Sequence, residues 1–498
     1  MSNAFMNGLQ SASNYTYTEN GALTHRSTDS ALLDLFAMGA AYRTRSDEDV
    51  ILLFKNAFRE NPVYALKCLF YIRDVRGGQG ERRFFRVVTK WMASNEPAAM
   101  RRNLTHVAEY GRWDDLLVFL DTPLQNDALE ILRSQLALDV QCKTPSLLAK
   151  WLPSENTSSA KTRASARVVR HYLNMTAKQY RKTLSILRTR INVLEKLMSE
   201  GRWDEIEFDK IPSKAGLKYK NAFARHDIER MKRNPEVKSY EAFAKDTTTK
   251  VNAKALYPYE VVAKALKVSN RPLDDTDRLM CNKYWDNLED VFKNSRFDGL
   301  AVIDTSASMT WHGEADKPIN VAISLGMYCA EKARGPFAGH YISFSRRPRL
   351  VKVEGVDFCD KVRRIYNTNL CENTNIEATF DMLLNTALAN HCHQEDLPGC
   401  ILIISDQEFD AGRSDRHLSK KTLMENIEKK WNAYGYKMPN LVFWNVQART
   451  NNIPMEVKDG ISFVSGMSPS IFNQILSGKT AFDLMYEVLD RERYKIIH

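Results

Sequence analysis

From about residue 28 to residue 296 apolar residues recur at three- and four-residue intervals, as in DVILLFKNAFRE and SILRTRINVLEKLM. That is the period of helices that bury one face. Breaks carrying Gly, Pro or Asn, such as RENP and RDVRGGQGERR, separate the helices. β-alternation is missing from this stretch and no fixed repeat length emerges, which predicts an α-solenoid or an irregular helical array. At Phe297 the period changes. FDGLAVIDTS, HYISFS, PRLVKVE, GCILIISDQ, NLVFWNV and ISFVSG are short apolar runs bounded by turn residues, and most are separated by helical stretches such as KPINVAISLGMYCAEKA and NIEATFDMLLNTALAN. Alternating strands and helices predict a doubly wound, mostly parallel sheet with helices on both faces. HYISFS and PRLVKVE, parted by two arginines, predict a hairpin at one edge. The chain therefore divides into a flexible N-terminal segment (1–27), a helical domain (28–296) and an α/β domain (297–498).

Composition narrows the class. A chain of 498 residues exceeds what one core organises, and 44% hydrophobic with 27% charged residues is an ordinary globular balance. The first twenty residues carry neither a basic nor an apolar leader region, and no run reaches the ~18–20 apolar residues of a spanning helix. The eight cysteines lie scattered without CxxC spacing, which points to a reducing, cytoplasmic compartment. The net charge of +10 is uneven: residues 151–250 hold 22 Lys and Arg against 12 Asp and Glu, whereas residues 298–498 hold 23 against 25.

That basic excess makes RNA a candidate partner, through phosphate neutralisation and counterion release. The densest run is Lys161, Arg163, Arg167, Arg170, Lys178, Arg181, Lys182, Arg188 and Arg190, with Tyr172 and Tyr180 interleaved as stacking surfaces. It follows PSENTSSAKTRASARVV, an exposed loop entering a helix. A second cluster is Lys214, Lys218, Lys220, Arg225 and His226. The bland alternative is a solvated helix face with the tyrosines in the core. YIRDVRGGQGERRFFR lacks the GK[ST] ending of a phosphate loop, so it stands as either a helix-ending turn with Gly77, Gly78 and Gly80 in positive φ or a basic RNA-facing patch, some of whose arginines pair with Asp74 and Glu81. ANHCHQED places His391, Cys392 and His393 too close together for one tetrahedral ion and fits a helix end with a polar loop.

VIDTSASM raises a sharper question. Asp304, Ser306 and Ser308 alternate just past the first strand of the α/β domain, where doubly wound sheets bind ligands. Hard oxygen donors of this kind suit Mg²⁺. Thr374, before a helix, and Asp406, after a strand, fall at the same predicted edge. In motif order these five residues resemble the metal-ion-dependent adhesion site of von Willebrand factor A domains. The resemblance implies that the serines and Thr374 bind Mg²⁺ (or Mn²⁺ or Ca²⁺) directly, that the aspartates bind it directly or through water, and that a partner's acidic group takes the open position. An aspartic protease would need a second carboxylate partner, and a serine hydrolase would need flanking glycines and a histidine.

GRWDDLL, LLAKWLPSE, the long run from Tyr180 to Asp227 and ALYPYEVV, with the A-type domain behind them, resemble an uncharacterised family, a catalogued domain of unknown function. In architecture that family is similar to Ro autoantigen (TROVE) proteins, in which a ring of HEAT-like helical repeats holds single-stranded RNA ends and small structured RNAs. The resemblance implies a non-enzymatic RNA scaffold. Its rival is a protein-interaction module whose metal grips a carboxylate, and a metal-dependent hydrolase ranks last because only Glu408, Asp410 and His312 offer a base beside the ligands.

Overall fold

The computed structural model describes residues 14–191, 193–253, 256–293, 297–310, 315–345, 347–368, 374–411, 422–475 and 480–498. They form two compact units, one of Met1–Cys68 with Leu256–Lys495, the other of Leu69–Ala255 with Ile496–His498. The change of period at 296/297 falls inside the first of these units.

The first unit is built on a six-stranded mixed sheet. Its strands are β3 (Gly299–Asp304), β4 (His340–Phe344), β5 (Arg349–Lys352), β6 (Cys400–Ser405), β7 (Asn440–Asn445) and β8 (Ile461–Ser465), in the order β5-β4-β3-β6-β7-β8. All neighbours are parallel except β4 and β5, the expected edge hairpin. Every residue of β3, GLAVID, is buried, as a central parallel strand covered on both faces requires. Because β3 lies between β4 and β6, the chain leaves it toward opposite halves of the sheet, which opens a crevice at its carboxyl end.

Helix α1 (Ala31–Met38), capped by Ser30, buries Leu32 through Met38 and belongs to this unit. So does α2 (Pro258–Val268), which buries Val261, Val262, Ala265 and Val268. Helix α3 (Pro318–Lys332) lies so close on β3 that a Cβ at Gly326 would stand 2.4 Å from the Ile303 side chain; only glycine fits. Helices α4 (Phe358–Asn367), α5 (Ile376–Ala389), α6 (Leu423–Ala433) and α7 (Ala481–Leu489) complete the unit.

Residues 14–27 depart from the flexible segment expected of them. Strands β1 (Tyr15–Tyr17) and β2 (Leu23–His25) pair antiparallel. His25 and Ile453 exchange backbone bonds at 3.0 and 2.9 Å, and Gly21 bridges to Asp410. Three-residue strands are too short for alternation to register, and their partners lie some four hundred residues away.

The second unit is helical, with long helices at Arg83–Asn95, Gln125–Gln141, Ala160–Tyr172, Ala177–Arg190 and Ser213–Arg233. The glycine run is a structural turn. Gly80 takes φ +68°, and a Cβ at Gly78 would lie 2.0 Å from the Tyr71 carbonyl. Two of its arginines are committed to the fold: Arg73 pairs with Asp115 at 2.7 Å with both side chains buried, and half-buried Arg86 binds Asp114 and Asp115 at 2.8 and 2.6 Å, whereas Arg76 and Arg82 are exposed. Asp74 and Glu81 accept the backbone N–H groups of Arg76 and Arg83.

Candidate metal centre and cationic surface

Strand β3 delivers Asp304 to the sheet edge, fully buried. One carboxylate oxygen accepts Ser306 N–H at 2.9 Å and the other accepts the Ser405 hydroxyl at 2.7 Å. Ser405, which sequence reasoning missed, ends β6, and its oxygen also accepts Gln407 N–H at 2.8 Å. It ties the end of β3 to the stretch that carries Asp406. The hydroxyls of Ser306 and Ser308 lie 3.0 Å apart, close to the ~2.9 Å edge of an octahedron with bonds of ~2.0–2.1 Å. Thr374 sits just before α5 and donates to Glu408 O at 3.1 Å. It also lies 3.3 Å from an Asp410 carboxylate oxygen. The five residues named from sequence thus come from the ends of β3 and β6 and the start of α5.

Burial sets the electrostatics. It pushes the Asp304 carboxyl up to about 7, with the negative charge of Asp406 adding to the effect. Burial also raises Glu408 and Asp410. The charge facing Asp406 is Arg449, bonded at 3.0 Å; its other guanidinium nitrogen reaches Glu19 at 2.6 Å. Two carboxylates and three hydroxyls are a donor set that a hard divalent cation fits, and the charge of such an ion would offset the burial and repulsion that raise Asp304. Arg449 and Glu19 escaped the sequence reading because no motif spacing links positions so far apart.

Glu408 binds Thr450 Oγ1 at 2.5 Å and Glu19 N–H at 2.7 Å. His312 lies outside the described residues. A second group, His25, Glu425 and Glu456, brings ligand atoms within 4.8 Å of one another. Glu425 there already accepts Thr422 N–H and faces His25 Nε2 at 3.1 Å.

The candidate RNA residues divide into two kinds. Arg163 binds the carbonyls of Thr157 and Ser158, Arg170 pairs with Glu155 at 2.7 Å, Arg188 gathers Ala149 O, Leu152 O and Ser154, and Arg190 reaches Val140 O. These hold the fold. Lys161, Arg167, Lys178, Arg181 and Lys182 are exposed and make no ion pair among the described residues. Lys178, Arg181 and Lys182, at i, i+3 and i+4, share one helix face. Tyr180 is a core residue rather than a stacking surface, buried with its hydroxyl on Pro153 O. Tyr172 is half-buried and bonds Glu130. In the second cluster Lys214, Lys218 and Arg225 are exposed and Lys220 is half-buried. Lys218 lies over the Tyr219 ring, Arg225 binds Asn221 O, and His226 stacks on Trp203.

A helical unit and an α/β unit whose sheet edge carries an oxygen-rich, carboxylate-bearing site define the class of this protein. Residues 18–146 and 144–296 match a domain of unknown function (DUF2828), more than half of the chain, and the chain belongs to that family. Residues 298–495 match a second domain of unknown function (DUF7788). The chain is similar to uncharacterized protein L728 of Acanthamoeba polyphaga mimivirus, at 29% identity over 505 residues covering 94% of this chain and 85% of that protein. Among the described residues no helix is long and apolar enough to cross a membrane.

Proposed function

We propose that this protein is a non-enzymatic RNA-holding scaffold, similar to Ro ribonucleoproteins. In this reading the helical unit is a HEAT-like array, ring-forming as in that family, and the α/β unit is a von Willebrand factor A-type domain. Asp304, Ser306, Ser308, Thr374 and Asp406 would hold Mg²⁺ and, through it, an acidic group. The observation that carries the RNA half is the exposed, unpaired set Lys161, Arg167, Lys178, Arg181 and Lys182, in the segment with nearly all the positive excess. These cations, three of them on one face of the Ala177–Arg190 helix, are available to phosphates, whereas Arg163, Arg170 and Arg188 are already engaged. The seven described cysteines are free thiols, which suits a cytoplasmic setting.

The test is binding of a fluorescent single-stranded oligoribonucleotide across a salt series. Reversing Lys178, Arg181 and Lys182 to Glu should weaken binding and lower the salt slope by about 2 units, at roughly 0.7 per lost contact on single strands. Equal affinity and slope would remove this face from the RNA site. The protein-interaction reading is favoured by one contact, the chain's own Glu19 standing a single guanidinium away from Asp406. Co-purifying nucleic acid, seen as a high 260/280 absorbance ratio that ribonuclease lowers, separates the two.

A further inference from the structure

Asp304, Ser306, Thr374 and Asp406 are each at most 6% exposed. Ser308 alone of the five is half-buried, so the approach to an ion among them is narrow, and a partner's carboxylate widens it by moving what covers Thr374 and Asp406. The piece of described chain lying on them is the tip of the β1–β2 hairpin. Its anchors Thr18 and Ala22 are buried, with the Thr18 hydroxyl on Phe409 O at 2.7 Å, while Glu19, Asn20 and Gly21 are exposed. Asn20 Nδ2 donates to the Thr374 hydroxyl at 3.2 Å and to Glu408 O at 2.6 Å. Glu19 holds Arg449, and Arg449 holds Asp406. Two of the five candidate ligands are thus engaged by groups of this same chain. Arg449 makes its two carboxylate contacts with Nε buried and, among the described residues, without a hydrogen-bond partner.

We propose that the Glu19–Asn20 turn and Arg449 form an internal latch on the metal-binding edge, with Arg449 standing in for a cation and the turn for a partner. This inference rests on the metal reading above. Latch and divalent ion compete for Thr374 and Asp406, so each weakens the other by the same factor. A partner that presents an acidic side chain displaces Glu19 to reach the ion.

The full-length protein can be locked. A Cβ at Gly21 would lie 3.8 Å from the Ala411 Cβ, the usual separation across a disulfide of about 3.8 Å; because Gly21 takes φ +88°, a cysteine there strains the turn in both redox states, and the comparison is made only between the oxidised and reduced forms of the one variant. In Gly21→Cys/Ala411→Cys, the oxidised form should bind Mn²⁺ more weakly than the reduced form, by roughly 5- to 150-fold, the usual span of such coupling. Asn20→Ala, a neutral change at an exposed position, should bind Mn²⁺ more tightly than wild type. In wild-type protein, hydrogen exchange across residues 14–27 should quicken on adding Mn²⁺. If oxidised and reduced forms bind Mn²⁺ equally while Asp304→Ala abolishes binding, the latch is wrong and the metal site stands. If no form takes up Mn²⁺ at millimolar concentration, the metal reading falls and the latch with it.

Discussion

Replacing Asp304 by Asn should stabilise the metal-free protein at neutral pH, an unusual outcome for a fully buried residue. Its carboxyl is raised from 3.8 to about 7 by burial and by Asp406. Below pH ~4 the group is protonated in folded and unfolded chains alike, so it sets no pH dependence there. Between pH ~4 and ~7 the unfolded chain gives up this proton while the folded chain keeps it, and each pH unit lowers stability by about 1.4 kcal/mol. Above pH ~7 the loss is complete, at about 4 kcal/mol. The Asn side chain removes that loss. It still accepts Ser306 N–H, but it turns an NH₂ toward Ser405, whose hydroxyl donates to Asp304 in the native chain, so one buried hydrogen bond has to be rearranged at a cost of about 1–3 kcal/mol. The net expectation at pH 7.5 in chelator is a gain of about 1–3 kcal/mol, fading to nothing or a small loss at pH 4.5. Urea denaturation at the two pH values measures it. Adding Mg²⁺ should then stabilise wild type, by about 2.7 kcal/mol at a hundred times its Kd, and leave the variant unmoved. An Asp304→Asn protein that is less stable than wild type at pH 7.5 in chelator refutes the reasoning.

Two further outcomes follow from contacts already described. Asp115→Asn strands the buried Arg73, while Arg86 keeps Asp114, and should cost about 3–5 kcal/mol by urea denaturation, whereas replacing Arg73 and Asp115 together by Leu should cost markedly less. With Mg²⁺ the protein should leave RNA and phosphoesters intact at the rate of an Asp304→Ala control, because the two carboxylates beside the site are already engaged, Glu408 by Thr450 and Glu19 N–H and Asp410 by the Thr374 hydroxyl; metal-dependent turnover lost in that control would show catalysis.

The sheet and the placing of Asp304, Ser306, Thr374 and Asp406 at strand ends and a helix start were legible because each rests on local pattern: a strand period, a helix period, and DTSAS at a strand end. What escaped were features made of residues far apart in the chain. Arg449 and Glu19 meet Asp406 through backbone paths of tens to hundreds of residues, and nothing in their flanking sequence sets them apart from other surface charges. The arginines of YIRDVRGGQGERRFFR show the converse failure. Their density read equally as a basic patch, whereas Arg73 lies inside, held by Asp115 of GRWDDLL. Composition counts charges but does not say which are already neutralised. The same limit divided the run from Lys161 to Arg190, where arginines that bind carbonyls and lysines that face water look alike in sequence.

The change of period at Phe297 invites excision of residues 297–498 as a domain, and the structure predicts that this fragment fails. Helix α1 is part of the same compact unit, and Ser465 of β8 reaches the carbonyl of Phe36. On α1 the side chains of Leu32, Leu33, Leu35, Phe36 and Met38 are all at most 3% exposed. At about 1.5–3 kcal/mol for each large apolar side chain, their burial is worth roughly 7–15 kcal/mol as an upper bound, about the entire stability of an ordinary domain. Helix α2 adds Val261, Val262 and Val268, all buried. Residues 297–498 alone should therefore keep secondary structure yet bind a hydrophobic dye and melt without a cooperative transition. A chain in which residues 69–255 are replaced by a flexible Gly/Ser linker, retaining both α1 and α2, should melt cooperatively. A sharp, dye-free melt from residues 297–498 would show instead that the sheet closes its own core and that the N-terminal hairpin and helix only decorate it.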